Sequence, residues 1–143
     1  MGGHQEANPQ VALGSSGAQD TLYKSAGGLL QAVRIQSGGG TFIGMHCYLD
    51  DLCYDKIEIG KNVTISYGVY FACHGRKQGH NKIVIEDGAY IGMRASIIAP
   101  KGDVVIGEKA IVGAMTLVNK SIPKGTTAVG VPCRVMGESY TNS

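Results

Sequence analysis

Tryptophan is absent from this chain, phenylalanine occurs twice and proline four times in 143 residues, so the 43% apolar share rests on Ile, Val, Ala and Leu. No window approaches 18 consecutive apolar residues, which excludes a spanning helix. The opening MGGHQEANPQVALGSSGAQD lacks the basic start and apolar run of a secretory signal, and Glu6 stands where a myristoylation signal needs Ser or Thr. A cytoplasmic location is therefore expected. Charge of one sign is lacking too: 13 basic against 11 acidic residues argues against both a disordered chain and a broad basic surface for nucleic acid. Cys47, Cys53, Cys73 and Cys133 form no CxxC pair, so free thiols are favoured over disulfides.

What the chain has in excess is glycine, 22 residues with no G-X-Y period. Many tight turns are implied, and a collagen-like rod is not. The turns recur. From Ile59 the chain reads IGKNVT, ISYGVY, FACHGR; from Ile85, IEDGAY, IGMRAS, IIAPKG; from Ile106, IGEKAI, VGAMTL, VNKSIP. The first slot is aliphatic or aromatic throughout, and the fifth is Val63, Val69, Ala89, Ala95, Ala110, Thr116 or Ile122. A period of 3.6 cannot hold a six-residue repeat on one face over three blocks, whereas short parallel strands separated by turns can. Three hexads then make one triangular coil, with the first and fifth slots inside and Gly60, Gly92, Gly107 and Gly113 relieving the turns. Coils stacked about 4.8 Å apart form a prism too narrow for many rings. An earlier, less regular coil is suggested by IGMHCY from Ile43 and LDDLCY from Leu49, which makes Cys47 and Cys53 core fillers and leaves His46 facing outward. About four coils result. So thin a core leaves an outer face for other subunits to cover.

This pattern resembles the hexapeptide-repeat acyltransferases, the family of the galactoside, maltose, serine and xenobiotic acetyltransferases. The similarity covers residues 41 to 136 and is strongest in IEDGAYIGMRASII and in VVIGEKAIVGAMTLVNKSIPKGTTAVGVPCRVM. It implies an all-β, left-handed parallel β-helix, a homotrimer, and acetyl-CoA as donor to a hydroxyl or amine of a sugar or other small molecule, with no metal, nucleic acid or membrane partner. The hand comes from the resemblance alone, since general topology favours right-handed crossovers. Residues 1–30 read as a flexible tail or partial cap, 31–123 as the β-helix and 124–143 as a segment at its CoA end.

The repeat breaks most at 72–84, where Phe71 and Ile85 stand 14 apart and eight residues are inserted. A repeat protein places binding groups on such loops. This one carries His74 and His80 with Arg76, Lys77 and Lys82. The resemblance implies a loop histidine as general base, a role that a neutral imidazole near pH 7 can fill. His74, close behind a strand, resembles the base of the sugar acetyltransferases; His80, in GHNKI, resembles the histidine before P-K-I in serine acetyltransferases. Standing alone, both would read as solvated loop residues. For the donor, the resemblance implies Gly92, Gly113 and Ala114 as backbone lining, with Lys120 and Arg134 at the nucleotide end; a solvated corner lysine is the competing reading for Lys120. Met93, Arg94 and Met115 depart from the family's usual Gly. Cys133 reads as packing, and Cys73, in an outward third slot, as no nucleophile. Two alternatives remain: a γ-type carbonic anhydrase, with His46, His74 and His80 holding a metal, and a non-catalytic β-helix scaffold. The H-x5-H spacing within a loop fits the anhydrase poorly, since its paired ligands resemble H-x4-H.

Overall fold

The structure is a computed structural model that describes residues 19–24, 30–49, 54–74 and 80–136. Its strands are two or three residues long within the repeat, because each hexad spends its remaining residues on a corner. They stack in parallel into three flat faces. The first face runs from Leu30–Ser37 through Ile57–Ile59 and Ile83–Ile85 to Val104–Ile106. The second begins at Phe42–Ile43 and passes through Thr64–Ile65, Tyr90–Ile91 and Ile111–Val112 to Thr127–Val129. Tyr70–Ala72, Ser96–Ile98 and Leu117–Val118 make the third.

Among the described residues, three consecutive turns have a strand on every face. The coil anticipated at Ile43 and Leu49 precedes them, and it meets the third face only through a bridge from Tyr48 to Tyr70. A further partial turn follows, with Ile122 bridged to Ile106. At the first end, Gln19–Lys24 pairs antiparallel with Leu30–Ile35, so part of the segment read as tail or cap is a strand of a hairpin. At the other end, Arg134–Met136 folds back antiparallel on Thr127–Val129.

Both interior slots are filled as the repeat predicts. Ile65, Phe71, Ile91, Ile97, Ile106, Val112 and Val118 of the first slot are fully buried, and so are Val69, Ala95 and Ala110 of the fifth. Each buried Ile contributes roughly 1.5–3 kcal/mol of transfer free energy. Cys47 and Cys133 are buried thiols in the same core, as the packing reading anticipates; Cys53 lies outside the described residues. Burial pushes the Cys47 thiol upward, partly offset by backbone hydrogen bonds from Val69 and Gly68.

Two expectations are corrected. The left-handed bend sits at the fourth slot, not the second: His46, Asn62, Arg94, Lys109 and Met115 have φ between 53° and 57°, and Gly68 and Gly88 lie at 69° and 72°. The corners stack through these residues, with Arg94 N–H donating to Tyr67 O at 2.8 Å and Met115 N–H to Met93 O at 2.9 Å. The second-slot glycines instead allow close approach of the next coil. A Cβ on Gly92 would stand 2.6 Å from Ala114 N and 2.7 Å from Gly113 C. Cys73, placed outward by the hexad count, is fully buried. The third-face strand continues its in-out alternation for one more step, so Phe71 and Cys73 both point inward, as Ile97 and Ala99 do one coil later.

Candidate active site

The inserted loop leaves and re-enters the prism at the edge between the third and first faces. His74 and His80 form an antiparallel bridge across its neck, so the two histidines read as alternatives are neighbours. Residues directly opposite in such a pair carry their Cβ atoms about 4.5–5.5 Å apart. Both are exposed, whereas the loop tip with Arg76 and Lys77 lies outside the described residues.

The neck is tied down on its returning strand. Asn81 N–H donates to Cys73 O at 2.7 Å, closing the loop. Its side-chain Nδ2 donates to Ala99 O, also at 2.7 Å, in the next coil. Lys82 N–H then donates to Asp103 Oδ1 at 2.7 Å. Lys82 Nζ lies 3.3 Å from Glu58 Oε1, an exposed pair worth about 1 kcal/mol or less. Sequence reasoning noticed Lys82 only as a charge near the histidines and missed Asn81; a polar residue at the exact return into register was the available signal.

Lys120 is exposed on the same edge, since Asn119–Ser121 stack over the corner 99–103, with Val105 N–H donating to Ser121 Oγ at 3.0 Å. The remaining donor candidates occupy the edge between the second and third faces. Gly92 is buried there, Gly113 half-buried and Ala114 exposed. The N–H groups of Gly92 and Gly113 are already committed to Val112 O and Ala128 O, at 2.8 and 2.9 Å. Arg134 is exposed and pairs in register with Val129, whose Cγ1 lies over Gly113. Cys133 N–H donates to Leu117 O at 2.9 Å, anchoring the hairpin at the start of the third face. One chain thus brings His74, His80 and Lys120 to one edge and Gly92, Gly113, Ala114 and Arg134 to another. His46 sits on this second edge, 5.3 Å from the Tyr67 ring in an edge-on contact, with the Arg94 guanidinium 5.9 Å from the same ring.

The three parallel faces and the interior hexad slots define a β-helix of the hexapeptide-repeat class, and the likeness to solved acetyltransferases makes it left-handed. The chain belongs to the hexapeptide-repeat acyltransferase family. It is 34% identical over 102 residues to a serine acetyltransferase of Bacillus licheniformis, covering 71% of this chain and 41% of that protein. It is also 38% identical over 100 residues to the bifunctional protein GlmU of Rubrobacter xylanophilus, covering 69% of this chain and 20% of that one. Among solved structures, it is similar to the hexapeptide-repeat acetyltransferase VCA0836 of Vibrio cholerae complexed with acetyl coenzyme A. That likeness has a TM-score of 0.63 and 30% identity, over 72% of this chain and 59% of the other. No protein-family model matches. The chain thus spans less than half the length of these two curated relatives. The carbonic anhydrase alternative finds no support, since the matches are to acetyltransferases.

Proposed function

We propose that the protein is a CoA-dependent acyltransferase, transferring acetyl from acetyl-CoA to a hydroxyl or amine of a small molecule. The observation that carries this reading is the histidine pair at the neck of the loop interrupting the repeat. His74 is the general base, taking the acceptor's proton as its oxygen or nitrogen attacks the thioester carbonyl; CoA leaves as the thiol. His80, opposite, helps to hold the acceptor. Serine acetyltransferases among the relatives favour a hydroxyl-bearing acceptor, of which sugars and hydroxy amino acids are the two classes to try first. Acetyl-CoA as donor is supported by the solved relative that carries it. Lys120 and Arg134, both exposed, suit the phosphates of its nucleotide end.

The two edges meet around one donor when the second edge of one copy faces the loop neck of the next. That contact is heterologous, and three such contacts close a ring around a triangular prism. The second edge and the faces beside it are suited to burial: Met45, Met93 and Met115 are 41%, 48% and 66% exposed, and Tyr67, Tyr90 and Ile111 between 40% and 46%. Replacing His74 by Ala is expected to lower turnover by about 10² to 10⁴ while leaving the fold and assembly intact, as read by thiol release from acetyl-CoA and by circular dichroism. Unchanged turnover would transfer the role to His80.

A further inference from the structure

We infer that Asn81 is a positioning residue, which sets the geometry of the His74–His80 pair by clamping the loop neck to the coil beyond it. The inference rests on the proposed transferase reading for its catalytic consequence, but not for its structural content. Eight inserted residues must return to register without displacing the core. Asn81 does this with two hydrogen bonds in different directions. Its backbone N–H reaches back to Cys73 O, next to His74, and its side-chain amide reaches forward to Ala99 O. Ala99 N–H in turn donates to Ala72 O at 2.9 Å, so the neck, the outgoing strand and the next coil form one closed hydrogen-bonded circuit. Only a side chain with an N–H donor on a short stem closes it. Aspartate at this position would set a carboxylate oxygen against the carbonyl of Ala99, and alanine would leave that part-buried carbonyl unpaired. Asp103, accepting the N–H of Lys82 one residue on, fixes the exit from the neck and leaves Asn81 as the residue adjoining the histidines.

The consequence is specific. A base displaced by about 1 Å from its productive position costs on the order of 10²-fold in rate, with little effect on groups that bind the donor elsewhere. The test compares the full-length wild type with Asn81→Ala and Asn81→Asp. The expected result is a kcat lowered about 10- to 100-fold with the KM for acetyl-CoA unchanged, at a temperature where both variants are folded. Nuclear Overhauser contacts between the His74 and His80 backbones should weaken in both variants, while those between His46 and Tyr67 persist. If one variant fails to fold, the other decides. Retained His74–His80 contacts would overturn the inference whatever the activity, and weakened contacts with wild-type kcat would overturn its catalytic part. Should the wild type itself transfer no acetyl group, the proposed function fails and the contacts alone judge the clamp.

Discussion

Thr116 fills a fifth, interior slot with a hydroxyl that is buried and finds no hydrogen-bond partner among the described residues, in a row where Val63 and Val69 serve without one. Replacing it by Val keeps the shape and removes a desolvated polar atom. Thr116→Val is expected to raise stability by about 1 kcal/mol in a urea titration. Gly92 makes the opposite case. Its missing Cβ is space occupied by the backbone of Gly113 and Ala114, so Gly92→Ala should cost about 1–3 kcal/mol, whereas Gly102→Ala, with nothing within 4 Å, should be near neutral. Equal effects at the two glycines would contradict the division of labour described for the corners. These residues also show what the sequence could tell. The identity of the interior slots was legible because a six-residue period repeats the same burial at every coil. The bend's true position was not legible, because Asn62, Arg94, Lys109 and Met115 share no residue type, and only the backbone reveals that each is left-handed.

At the scale of the element, a hexad is a two- or three-residue strand and a corner, and neither is stable alone. The corners that follow the first and second faces are held by the N–H of the fourth residue bonded to the coil before, as in Gly88 to Lys61 O and Lys109 to Asp87 O, at 2.8 and 2.9 Å. An insertion is tolerated wherever its ends can rejoin that ladder, which is what the neck at His74 and His80 achieves. The existence of the loop was legible as a break in spacing from six to 14. The pairing of its two histidines was not, because an antiparallel closure depends on where the chain turns back, and the intervening sequence carries no turn motif that fixes this. Cys73 was misplaced for a related reason: the hexad count puts it in an outward third slot, whereas the strand alternation carries on from Phe71 and turns it inward.

For the whole molecule, the prism presents its two groups of candidate residues on separate edges, and its exposed Met and Tyr side chains gather along one of them. Among the described residues no helix is long and apolar enough to cross a membrane. A second copy is the occupant proposed for the apolar edge. Met115→Glu, at the most exposed methionine of that edge, is expected to dissociate the assembly at micromolar concentration in sedimentation velocity, with the circular dichroism of the β-helix preserved. A wild-type chain that sediments as a monomer would exclude the shared site. Acceptor chemistry was not legible at any scale, since the sequence inserted between the two histidines holds no diagnostic motif, while the repeat and the C-terminal signature speak only for the fold and the donor.

The central claim is that this β-helix binds acetyl-CoA at the junction of its two functional edges. Calorimetric titration of acetyl-CoA into the full-length protein tests it most directly. The account predicts saturable binding with one donor per chain, retained in His74→Ala, weakened in Lys120→Ala and Arg134→Ala, and matched by a rise in melting temperature with donor concentration. No heat of binding and no thermal shift at millimolar acetyl-CoA would contradict it.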